Sequence, residues 1–180
     1  SASLLLYCKL RKTSLRFKKQ EHLFLFLLGA ALFSINFIFI YTSTIYLISG
    51  LVSVIFSLVS LFNIINSYFF FKKTPEKHVV LGGALGLAGI ITLFWKSIFG
   101  VSFNNQTLLG ICFALIGTLI FSFGNIISSR NQKKGMRLVP GTAIAMAYGS
   151  SMMLIYVLAK GLSLDLPPNF SYWVSLLYLA

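Results

Sequence analysis

The 180-residue sequence is 57% hydrophobic and 16% aromatic but only 10% charged, with fifteen Lys and Arg, three acids and a net charge of +12. With a mean hydropathy of +0.87, this excludes an ordinary soluble domain, in which apolar residues alternate or stripe with polar ones. It implies an all-α integral membrane protein, a polytopic helix bundle.

In chain order, residues 1–7 form a short apolar run followed by basic residues. A signal peptide has the reverse order, so the run reads as the end of a helix cut by the start of the chain. Five segments of spanning length follow: residues 23–41, 46–71, 79–95, 107–129 and 140–159. Residues 23–71 contain no charge at all, too long a stretch for one span and about right for two of roughly 20 residues each. Segment 79–95 is the shortest and richest in Gly, which would also suit a re-entrant segment, but the charge topology requires a full crossing there. Residues 171–180 stop inside an apolar run and read as the start of a further helix.

The basic residues settle what the positive charge is for. Six lie in 9–19, three in 72–77 and four in 130–137, whereas the intervening loops hold only Lys96 and Lys160. Thirteen against two, on alternate sides, is the positive-inside pattern, and it places the three basic loops in the cytoplasm. Nucleic acid is therefore not an expected partner; the bilayer is, with the basic loops drawn to anionic lipid at the inner leaflet. Cys8 and Cys112 fall near opposite faces, so no disulfide is expected. The triplets beginning at Asn105 and Asn169 match glycosylation sequons but sit close to the membrane and arise easily by chance.

No nucleophile with its base, no metal-ligand spacing and no phosphate-binding loop is present, so neither an enzyme nor a cofactor is expected. The acids Glu21, Glu76 and Asp165 all fall at helix ends or in loops, and His22 and His78 at cytoplasmic boundaries, where a solvated interfacial His is the expected state. The spans carry small and polar residues instead. Ser49, Ser53, Ser57, Ser60 and Ser67, with Asn63 between, share one face of the second span. Thr118, Ser122, Asn125 and Ser129 form a second stripe, beside Gly110, Gly117 and Gly124 at intervals of seven. These glycines, and Gly82, Gly86 and Gly89 on the third span, read as helix-packing positions. Asn36, Asn63 and Asn125 lie in different spans and should face inward, because an unpartnered amide in lipid costs several kcal/mol. Such an interior suits a cavity for a polar or zwitterionic small molecule, or equally a bundle glued by polar contacts with no ligand.

The stretch "YFFFKKTPEKHVVLGGALGLAGIITLFW" resembles the junction of the fourth and fifth helices of the drug/metabolite transporter superfamily, EamA type, with Gly82 and Gly89 at the matching positions. "GTLIFSFGNIISSRNQKKG" and "AMAYGS" resemble its sixth helix, basic loop and seventh helix, with Asn125, Arg130, Tyr148 and Gly149 in place, and "SYWVSLLYLA" its eighth. The chain departs from the family at Lys73, where a Glu is usual, and Glu76 stands three residues on. The resemblance implies a ten-helix fold of two inverted five-helix repeats: residues 1–95 carry the end of helix 2 and helices 3 to 5, and residues 107–180 carry helices 6, 7 and the start of 8. It implies a permease of the inner or plasma membrane that exports small polar metabolites, amino acids or drug-like compounds by alternating access. A homo-oligomer is compatible with it. Ser34, Asn36, Ser53, Ser57, Ser60, Asn63, Thr118, Ser122, Asn125 and Tyr148 are the substrate-site residues expected from the stripes and the resemblance together. A membrane structural or interaction protein, using the same stripes for packing alone, is the competing expectation.

Overall fold

The computed structural model describes residues 17–72, 74, 76–93, 95 and 104–161, with residues 4 and 175 as isolated positions. Lys73 and the sequon at Asn169 lie outside the described residues. The described residues form five long helical elements and no strand: α1 (Lys19–Ser43), α2 (Ser49–Phe71), α3 (Lys77–Leu93), α4 (Asn105–Lys133) and α5 (Leu138–Ala159). Four of them, α1, α2, α4 and α5, are long and apolar enough to cross a membrane. The helix α3 has 17 described residues, and Trp95 is helical as well.

The helices run further at their basic ends than apolarity alone predicts. α4 continues through Arg130 and Lys133, whose charges offset its C-terminal dipole, and each lies 3.5 Å from an aromatic ring centroid, Arg130 over Phe24 and Lys133 over Phe71. The Glu21 carboxylate accepts the Lys18 backbone N–H at 2.6 Å where α1 begins. At the start of α4 the Asn104 side chain accepts the Thr107 N–H at 2.8 Å. Asn105 therefore sits in the first turn of a helix.

Two helices are interrupted near their middles. In α1 a single π-helical turn spans Ala31–Ile35, and it sets Ser34 and the following Asn36 into the bundle, 2% and 1% exposed. In α2 the ladder tightens at Leu58, whose N–H bonds the Ile55 carbonyl at 3.1 Å, between Ser49–Ser57 and Val59–Phe71. The Ser57 hydroxyl donates to the Val54 carbonyl at 2.6 Å and the Ser53 hydroxyl to the Ser49 carbonyl at 3.0 Å, back-bonding that bends helices.

Packing follows the glycines of α4 and α5. The helix α4 lies along α1 and α2, α5 lies along α1, and α3 packs on α2. A Cβ at Gly110 would stand 2.7 Å from Leu47, one at Gly117 3.0 Å from Ile40, and one at Gly124 2.5 Å from Leu32, so the interval of seven on α4 is the seam against α1 and the turn after it. Where α5 meets α1 the backbones themselves touch: a Cβ on Gly29 would lie 2.3 Å from the Ala145 carbonyl oxygen, and one on Gly149 2.7 Å from that of Gly29. Leu25 and Leu28 with Ala145 fill this seam, while Leu47, Leu51, Val52, Ile55 and Ala114 fill the α2–α4 seam. Gly82, Gly86 and Gly89 differ from expectation. Nothing among the described residues comes within 4 Å of a Cβ at any of them, whereas one at Gly83 would lie 3.6 Å from Ile64 of α2. Outward side chains such as Ile45, Phe69, Leu85 and Leu158 are exposed and apolar, as a lipid-facing surface requires.

Candidate functional site

An open cleft of about 550 Å³ separates α2 from α3. Its α2 wall carries Ser60, Asn63, Ile64 and Ser67. Thr74 and Glu76 stand at the connecting segment, and Val79, Gly82 and Gly83 form the α3 wall. The spacing of three and four that puts Ser60, Asn63 and Ser67 on one helical face is what turns them together into this space. Glu76 starts α3, its carbonyl accepting the N–H groups of Val79 at 2.9 Å and Val80 at 3.2 Å, so its negative side chain lies at the favourable end of the helix dipole. The carboxylate meets His78 Nε2 at 3.0 Å, an exposed pair worth little to stability.

Behind the cleft wall a hydrogen-bonded chain joins α2 to α4. Asn66 Nδ2 donates to Ser122 Oγ at 2.8 Å, Ser122 Oγ donates to Asn63 Oδ1 at 2.9 Å, and Asn125 Nδ2 donates to the same oxygen at 3.3 Å. Ser122 is wholly buried and Asn66 is 9% exposed, so the bond between them forms away from solvent, where polar groups need partners, while the two bonds to Asn63 are partly buried. Asn66 was missed in the sequence, although its place three residues after Asn63, on the same helical face, was a signal for it.

The ten residues expected to line one substrate site thus fall into four places. Ser60 and Asn63 line the cleft, and Ser122 and Asn125 hold Asn63 from behind. Ser34, Asn36 and Thr118 are buried in the α1–α4 region; Thr118 donates to the Ala114 carbonyl at 2.7 Å, and Asn36 Oδ1 is buried with no partner among the described residues. Ser53 and Ser57 bond their own helix. Tyr148, on α5, meets His22 Nδ1 at 3.0 Å, and Phe17, Phe26 and His22 pack edge-on in the same cluster. His22 is therefore part of the α1–α5 contact and not simply an interfacial, solvated side chain. Among the described residues no group of three or more His, Cys, Asp or Glu could hold a metal.

A family model, described as the EamA-like transporter family, matches residues 1–95, just over half of the sequence. The chain belongs to that family. No curated protein and no solved structure matches it. It is accordingly a multi-pass helical membrane protein of a transporter family of the drug/metabolite type, not of an enzyme family. The matched stretch contains α1, α2 and α3, so both walls of the cleft lie within it, whereas Ser122 and Asn125, which brace Asn63, come from α4 beyond it.

Proposed function

We propose that the protein exports small polar solutes, such as metabolites, amino acids or drug-like compounds, across the cell membrane by alternating access, with the α2–α3 cleft as part of the solute path. The observation that carries this reading is a polar wall of Ser60, Asn63 and Ser67, placed within the segment that matches a transporter family. A cleft of about 550 Å³ is the size of small-molecule sites, and its mixture of apolar surface with a few polar groups fits a solute that is itself mixed. Residues 1–95 and 107–180 belong to successive inverted repeats in this reading, and Ser34, Asn36, Ser53, Ser57, Thr118 and Tyr148 meet solute in other states of the cycle. Transport by the full-length protein in proteoliposomes tests it. Ser60→Leu, on an exposed position of the wall, should lower uptake about tenfold or more while folded protein stays near normal. Unchanged uptake would remove the cleft from the path.

The loops at 9–19, 72–77 and 130–137 face the cytoplasm in this reading, which the thirteen-to-two distribution of basic residues supports. In a background lacking Cys8 and Cys112, single cysteines at Gln106 and Lys133, exposed near opposite ends of α4, should label from opposite sides, Gln106 from outside. Labelling of both from one side would overturn the orientation and the crossing of α4 together.

One observation favours a second reading, a bundle in which polar residues serve packing alone: Ser53, Ser57 and Thr118 all return their hydroxyls to their own backbone. That reading expects every loss of transport to follow a loss of folded protein.

A further inference from the structure

The oxygen of the Asn63 amide has two lone pairs, and both are taken from the α4 side, by Ser122 Oγ at 2.9 Å and by Asn125 Nδ2 at 3.3 Å. Its Nδ2 makes no hydrogen bond to any described residue and is not a buried orphan, while Asn63 itself lines the cleft. Which way an amide points is decided by its neighbours, and here the neighbours form a directed chain: Asn66 donates to Ser122, which frees the Ser122 proton for Asn63. Ser60 and Ser67 flank Asn63 on the same wall, and their hydroxyls have no partner among the described residues, so each can turn to donate into the cleft. The one carboxylate at the cleft, Glu76, is engaged by His78 at 3.0 Å.

We infer that the Asn66–Ser122–Asn63–Asn125 chain fixes the Asn63 amide with its NH₂ toward the cleft, so that this wall selects solutes carrying a hydrogen-bond acceptor, a carboxylate or carbonyl oxygen. The inference rests on the reading of the cleft as a solute path. Asn63 touches the solute. Asn66 and Ser122 are positioning residues, because neither lines the cleft and each acts through the amide they orient. A wall built to donate rejects an analogue without the acceptor, since its own polar groups are then left unpaired.

Thermal unfolding of the full-length protein in detergent, titrated with 3-phenylpropionate and with 3-phenylpropylamine, tests this, because a ligand that binds the folded state raises the midpoint. The propionate should bind at least about tenfold more tightly than the amine. Asn63→Asp keeps an oxygen for Ser122 and Asn125 and replaces the NH₂ with a second oxygen; it should fold and should lose or reverse that preference. Asn66→Leu releases Ser122 and lets the amide turn, so the ratio of the two affinities should fall below about threefold with folded yield retained, a change that a purely structural role would not produce. Equal binding of the two probes, tighter binding of the amine, or an unchanged preference in Asn63→Asp would each overturn the inference. So would failure of Asn63→Asp alone to fold, which would mean that the amide oxygen faces the cleft. Ser60→Leu separates the two levels: if it abolishes binding of probes that bind equally, the cleft survives as a solute site and only the acceptor selectivity falls. If neither probe shifts the midpoint of the wild-type protein, the cleft and its selectivity fall together.

Discussion

Gly29→Ala should cost folded protein heavily, and Gly86→Ala should not. A methyl at Gly29 would sit 2.3 Å from the Ala145 carbonyl oxygen and 3.0 Å from the Gly149 nitrogen. Both are backbone atoms of α5 and cannot rotate away, so the two helices must separate along a seam that also holds Leu25, Leu28 and Ala145. Overpacking of this kind costs about 1–3 kcal/mol, and the upper end applies where backbone opposes backbone. The better helix propensity of Ala returns about 1 kcal/mol at most, leaving a net loss. At Gly86 no described atom lies within 4 Å, so only the propensity gain of about 1 kcal/mol or less remains. The monodisperse fraction in mild detergent and the thermal midpoint should therefore fall for Gly29→Ala and hold or rise slightly for Gly86→Ala. A comparable fall in both would mean that α3 has a packing partner on its Gly82–Gly86–Gly89 face.

That pair of glycines shows how far the sequence could be read. Small residues at helical spacing reveal which face of a helix is thin, and on α4 the face marked by Gly110, Gly117 and Gly124 is the one against α1. On α3 the same signal marks positions where an added Cβ would touch nothing described, because spacing carries no information about how closely a neighbour stands opposite. The helical membrane class and four of the five expected spans were legible because hydropathy depends on composition along the chain. Helix ends were less so: α4 extends to Lys133, its basic residues lying over Phe71 and Phe24, since long cationic side chains tolerate a helix that outruns its apolar core.

Polar residues were legible as inward-facing but not as pairs. Asn63 and Asn125 were expected to avoid lipid, and they bond each other. That Asn66 joins them through Ser122, that Tyr148 reaches His22, and that Ser53 and Ser57 turn back on their own helix all depend on relative helix rotation, which no single-helix pattern encodes. The π-helical turn at Ala31–Ile35 had no sequence signature either; α4 and α5 both pack on it.

Asn63→Leu should separate stability from transport by the widest margin. Leu at this position removes the acceptor shared by Ser122 and Asn125. Leaving a buried donor unpaired costs about 1–3 kcal/mol, yet interhelical hydrogen bonds in membranes average nearer to about 0.6 kcal/mol because the groups find other partners. Ser122 can turn its hydroxyl to a carbonyl of its own helix, as Thr118 already does with Ala114. Asn125 is only partly buried. The stability loss should accordingly be about 1–2 kcal/mol, enough to lower folded yield but not to abolish it. Transport per folded molecule should fall much further, by about a hundredfold, because the substitution both removes the amide from the cleft wall and places a branched apolar side chain there. Asn125→Leu provides the comparison: it breaks the longer of the two bonds, at 3.3 Å, and its side chain is not part of the cleft wall. Its loss of folded protein should be similar or smaller, and its transport per folded molecule within about threefold of wild type. Transport that scales with folded yield in both variants would mean that the Asn63 chain only fastens α2 to α4, and the solute path would have to be sought elsewhere in the bundle.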